Sequence, residues 1–199
     1  MIVTPPPLDD PDERVAAMYA EDEAADGVVY SHTRVMAMNP EAHAAFEVLI
    51  GAIVPSLGLR SYELVTLAAA RSIQSPHCLL AHGRKALTAG LMSEQQLIRL
   101  ARDYRDADLT DAEVVMMAFA ERVSRDASAM TDADSEALRS HGFTDDEIVG
   151  IALAAGARNY LSRVLLSLAV PVDDVPGLSS DARSALLEPA LPAPREAGC

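Results

Sequence analysis

Apolar residues recur along this chain at three- and four-residue spacings, and no stretch shows the strict alternation of a half-buried strand. Alanine and leucine fill most of these positions, which favours helix. Helix entrances are marked by side chains that satisfy free backbone amides: Ser93 with Gln96, Thr110 with Glu113 and Thr144 with Glu147 each have capping-box spacing. Gly90 and Gly142 mark exits, where a glycine readily closes a helix. The pattern predicts helices at about 9–24, 40–54, 60–73, 76–89, 93–104, 110–127, 132–140, 145–157 and 160–169. The ends, "TPPPLDDPDE" and "EPALPAPREAGC", are proline-rich with acid or alanine, and both read as mobile arms. The expected organisation is an N-terminal arm with one helix (1–28), an all-α domain (29–172) and a flexible tail (173–199).

Composition narrows the setting. The chain has 199 residues, half of them hydrophobic, which suffices for one core or two fused similar halves. A net charge of −14 leaves no electrostatic footprint for nucleic acid or an anionic membrane, so the expected partner is a small molecule or another protein. Two cysteines without a disulfide framework fit a reducing compartment. The N-terminal segment lacks the pattern of a signal peptide, and no run of about 18 apolar residues occurs, so a cytoplasmic protein is expected.

The sequence also repeats itself. Laying "LGLRSYELVTLAAARSIQSPHC" from Leu57 over "HGFTDDEIVGIALAAGARNYLS" from His141 aligns Gly58 with Gly142, Glu63 with Glu147 and Val65 with Val149. The spacing suits two related helical pairs about a pseudo-twofold axis. Where the first copy has Ser75, His77, Cys78 and His82, the second has Asn159, Leu161, Ser162 and Leu166, so only the first carries reactive groups.

Those groups lie in "RSIQSPHCLLAHGRK", residues 71–85. Pro76 forces Ser75 into extended backbone and is itself favoured at the first position of a new helix. Ser75 is therefore expected at the N-cap, its hydroxyl accepting the amide proton of His77 or Cys78. Cys78 then sits in a first helical turn, an environment that favours the reactive thiolate form. His82 lies one turn further along the same face, within reach for proton exchange directly or through one water. In antiparallel helices Glu63 and His82 rise about 18 and 10 Å from the turn, and fraying of "SIQ" shortens the first figure, so a carboxylate–imidazole contact is feasible. His77 is adjacent to Cys78 and points about 100° away from it. Cys78, His82 and Glu63 offer three ligands without a fourth, so no zinc and no other cofactor is expected. His32, His43 and His141 fall near helix ends, where solvated or capping roles are the default, and Met116 and Met117 read as core fill. Cys199, at the end of the tail, reads as inert.

A glutamate, then a position that is usually cysteine, then cysteine three residues on and histidine four beyond it: this is the motif of the AhpD-like alkylhydroperoxidases, a group within the carboxymuconolactone decarboxylase superfamily. The chain resembles that group through Glu63, Ser75, Cys78 and His82, with His77 before the cysteine as in many members. The resemblance covers most of residues 30–170. It implies an AhpD-like all-α fold with related helical halves that assembles as trimers or larger rings. It passes peroxide attack to Cys78 and proton relay to His82 and Glu63. Ser75 replaces the first cysteine, so the usual internal disulfide cannot form.

Three functions follow as expectations. In the first, a cysteine-dependent peroxidase or thiol oxidoreductase reduces hydroperoxides and is restored by an external thiol or thiol protein. In the second, Glu63 and His82 serve as acid and base on a small oxo-acid or lactone, with Cys78 merely lining the pocket. The third is a non-catalytic helical oligomer.

Overall fold

The computed structural model describes residues 1–188, and among these the regular structure is entirely helical. Ten α-helices follow one another: α1 (Glu13–Asp26), α2 (Ser31–Met36), α3 (Pro40–Leu57), α4 (Leu59–Ser72), α5 (Pro76–Thr88), α6 (Glu94–Arg102), α7 (Asp111–Asp126), α8 (Asp132–Ser140), α9 (Asp145–Ser167) and α10 (Ser180–Leu187). The capping boxes expected at Thr110 and Thr144 are both formed, and Ser93 caps α6 through the Gln96 amide. No single described helix is long and apolar enough to cross a membrane.

Helix α4 organises the core. Every residue from Tyr62 to Ala70 is buried, because α3, α5, α7 and α9 pack around it. Its end positions the site. Gln74 takes the left-handed conformation (φ 54°), and the Ser75 amide donates back to the Ala70 carbonyl at 2.9 Å, closing the helix. Ser75 is extended (φ −93°, ψ 97°), as the residue before a proline must be, and Pro76 opens α5. Met116 and Met117 are core residues, as expected.

Three expectations need correction. The repeat does not fold as two helical pairs: where the first copy breaks at Pro76, the second has Tyr160, and α9 runs unbroken for 23 residues. The first copy's hairpin of α4 and α5 thus packs against one long helix. The N-terminal segment is seated on the domain, since the Ile2 amide donates to Leu168 O (3.0 Å) and the Tyr19 hydroxyl to Pro6 O (3.1 Å). The tail read as starting at 173 contains α10, which is capped by Ser179, buries Ala182, Ala185 and Leu186, and packs against α5 and α6. Leu186 approaches α5 closely enough that a Cβ on Gly83 would stand 2.7 Å from its Cδ1. That helix contains no proline, but its fully buried face is only three residues long, too short for a periodic signal. Cys199 lies outside the described residues.

Candidate active site

Ser75 and Cys78 flank the opening of α5. The backbone of Ser75 occupies the N-cap position, but its hydroxyl makes no capping bond and is fully buried without a partner. The expected side-chain cap is therefore absent. Removing a capping hydroxyl ordinarily costs about 0.5–2 kcal/mol, whereas an unsatisfied buried hydroxyl contributes nothing of that kind. Ser75→Ala is accordingly expected to leave stability unchanged within about 0.5 kcal/mol, or to raise it, in urea denaturation.

Glu63 on α4 and His82 on α5 meet as expected: Nδ1 of the imidazole and Oε2 of the carboxylate are 2.6 Å apart, with both residues buried. Because α4 ends at Ser72, Glu63 lies nearer the turn than a helix continued to Ser75 would place it. Burial pushes Glu63 up to about 7, with Lys85 and Arg158 pulling partly back. Burial drives His82 well below the usual imidazole range, and Arg158 and Lys85 push the same way. The two shifts describe one proton shared by the pair and released near neutral pH. Among the described residues Nε2 of His82 has no hydrogen-bond partner, and the ring lines a cavity, so this nitrogen is the pair's outlet.

The shared proton fixes the pH dependence of stability. Between about pH 4.5 and 6.5 the unfolded chain carries one proton on His82 and none on Glu63, and the folded pair also carries one, so the contributions cancel. Below about 4.5 unfolded Glu63 takes a second proton that the folded pair refuses, and stability falls as pH falls. Urea midpoints of the wild type relative to a Glu63→Gln/His82→Asn variant are expected to be flat across the first window and to decline below it.

The sulfur of Cys78 is only 2% exposed and receives two donors from α9. The Ser162 hydroxyl donates to Sγ at 3.1 Å and Arg158 Nη1 at 3.5 Å, while Arg158 Nη2 donates to the Tyr62 hydroxyl at 3.2 Å. Arg158 is itself buried, and its Nε is an unpartnered donor. A guanidinium and a hydroxyl aimed at one sulfur favour the thiolate. Ser162 is the residue that the repeat aligns with Cys78, so aligned positions of the two copies touch although the copies fold differently. Neither donor was singled out from sequence. The available signal is Arg158 itself, a charge one turn after Ala154 and one before Ser162, and the one charged residue on the buried face of α9.

Cys78 and His82 open onto one cavity of about 320 Å³, with Met36, Phe46, Ile50 and Leu161 forming an apolar wall. His32 and His43 also line it, so four of the five histidines gather there, rather than the first two lying at solvated helix ends. His32 stacks on Tyr30, and burial lowers it to about 4, keeping it neutral. His141 does remain exposed at the end of α8, near Ala137 O. His77 lines the cavity as well. Its Nε2 lies 3.0 Å from the Pro171 carbonyl, to which it donates, leaving Nδ1 as a buried acceptor without a partner. The described residues contain no group of three histidine, cysteine or carboxylate side chains arranged to hold a metal.

Residues 40–122 match the carboxymuconolactone decarboxylase family. No sequence among the curated proteins matches the chain. Among solved structures, an uncharacterized peroxidase-related protein from Ralstonia eutropha JMP134, described as an alkylhydroperoxidase AhpD core, superposes with a TM-score of 0.75 at 22% identity, covering 96% of this chain and 97% of its own. An uncharacterized peroxidase-related protein from Silicibacter sp. TM1040 gives 0.74 at 27% identity, over 84% and 89%. The debrominase Bmp8, in complex with 2,3,4-tribromopyrrole, gives 0.72 at 16% identity, over 95% and 97%. The first and third likenesses establish the fold.

Proposed function

Because this chain belongs to the carboxymuconolactone decarboxylase superfamily and has the AhpD-like fold, we propose that it is a cysteine-dependent peroxidase that reduces organic hydroperoxides. The observation that carries this reading is the convergence of Ser162 and Arg158 on the buried sulfur of Cys78, beside a proton-sharing Glu63–His82 pair in the same cavity. The thiolate attacks the outer peroxide oxygen, the O–O bond breaks, and the departing alkoxide takes a proton from Nε2 of His82, which Glu63 restores through Nδ1. Sulfur is oxidised to sulfenic acid and the hydroperoxide is reduced to an alcohol. The apolar wall of Met36, Phe46, Ile50 and Leu161 suits the organic group.

The family match and the Glu63–His82 pair favour a second reading, acid–base chemistry on a small lactone or oxo-acid without a redox step. Steady-state assays with cumene hydroperoxide plus thiol and with a panel of lactones separate the two: peroxide loss supports the first, lactone turnover the second. We further propose that the chain self-associates. Val48 and Leu49 of α3 and Val149, Leu153 and Tyr160 of α9 are exposed on two helices that pack together, and such a patch favours burial against another copy. Light scattering at micromolar concentration is expected to exceed the monomer mass, and a monomer would contradict it.

A further inference from the structure

We propose that a second cavity beside the first binds a small zwitterionic thiol, an amino-acid or short-peptide thiol, which reduces oxidised Cys78; this rests on the peroxidase reading. The second cavity, about 370 Å³, shares Asp22, His32, His77, Ala81 and Lys85 with the catalytic one. A molecule whose body lies in the second can therefore extend a thiol past that common wall toward the sulfur. The low exposure of Cys78 excludes a cysteine fixed on the surface of a folded protein, while a slender ligand passes.

Charge selects the ligand. Lys85 is the chain's only lysine, stands at the junction of the two cavities and pairs with no carboxylate among the described residues. Arg84, its neighbour, is already held by Asp26. Asp22 and Asp173 also line the second cavity, fixed as acceptors by the amides of Tyr30 and Ser31 and, for Asp173, by the Ser31 hydroxyl. A lysine and two carboxylates around one space match the carboxylate and ammonium of an amino acid. Between the cavities, Nδ1 of His77 is a buried acceptor without a partner, available to an N–H or S–H donor on a ligand that bridges them.

The chemistry closes with two thiols. The first attacks sulfenic Cys78, forming a mixed disulfide and releasing the oxygen as water. The second attacks the ligand sulfur of that disulfide, releasing the free thiol disulfide and returning Cys78 as thiol. Two electrons pass from the two thiols to the sulfenic sulfur.

Two measurements on the full chain test this. S-Methylglutathione, which cannot form a disulfide, is titrated into the reduced protein by calorimetry. Saturable binding is expected, weakened about tenfold or more by Lys85→Gln and by Thr88→Trp, which narrows the second cavity from its exposed rim. Circular dichroism checks that both variants fold. Absence of binding, or binding indifferent to both substitutions, overturns the site. Separately, protein oxidised with one equivalent of cumene hydroperoxide is reduced by glutathione, 2-mercaptoethanol or thioredoxin. Glutathione is expected to saturate and to react about tenfold faster than 2-mercaptoethanol at equal thiolate concentration. Equal unsaturating rates, or faster reduction by thioredoxin, overturn the proposal and leave the peroxidase reading intact. Failure of Cys78 to oxidise at all sinks that reading and takes the reducing role with it.

Discussion

Cys78→Ser is expected to lower hydroperoxide turnover at least about a thousandfold, the scale on which loss of a nucleophile that no neighbour replaces is felt. Serine keeps the shape of the side chain, and its oxygen can still accept from Ser162 and Arg158. The fold should therefore survive. What disappears is the atom that gives two electrons to the peroxide, since an alcohol oxygen has no accessible higher oxidation state. Acid–base chemistry by Glu63 and His82 would lose far less, because those groups and the cavity remain. Steady-state loss of cumene hydroperoxide in the presence of glutathione reads the effect, with the thermal midpoint of the variant as the folding control. Activity within a few fold of wild type would move the reaction away from the sulfur.

The second large effect is expected at the proton relay. Glu63→Gln preserves an oxygen that accepts from Nδ1 of His82, so the ring keeps its orientation, but the variant has no carboxylate to share the proton. Its loss should reduce kcat/KM at pH 7 by about a hundredfold or more, within the usual range for removing positioned acid–base help. The pH profile distinguishes relay from packing. In the wild type, kcat/KM is expected to fall as pH rises through about 7, as the buried pair gives up its shared proton and Nε2 has none to pass to the departing alkoxide. In Glu63→Gln that limb is expected to vanish from the neutral region, because burial, Arg158 and Lys85 hold His82 alone far below it. A uniformly scaled profile with the same limb would assign Glu63 a structural role only.

Much of this site is legible in the sequence for local reasons. The break before Pro76, the first-turn position of Cys78 and the reach of Glu63 to His82 all follow from helix geometry over some twenty residues, and each is present in the fold. The side chain of Ser75 is the local exception: backbone constraints place the residue at the cap, yet its hydroxyl points into the interior without a partner. The donors on the sulfur lie beyond local reasoning, since Arg158 and Ser162 approach Cys78 from 80 and 84 residues away, through packing of α9 that only the assembled core determines. Short elements escaped for a different reason. Helix α2, with six residues, and α10, with eight, carry too little periodicity to stand out, although one brings His32 to the cavity and the other covers Gly83.

The central claim is that Cys78 itself is oxidised by peroxide, and intact mass spectrometry tests it most directly. Full-length protein is treated with one equivalent of cumene hydroperoxide and trapped with dimedone, and the adduct is located by peptide fragmentation. One dimedone adduct on the peptide containing Cys78, formed as one equivalent of alcohol appears and absent from Cys78→Ser, is the expected result. An unmodified Cys78 after the peroxide has been consumed, or no consumption at all, would contradict it.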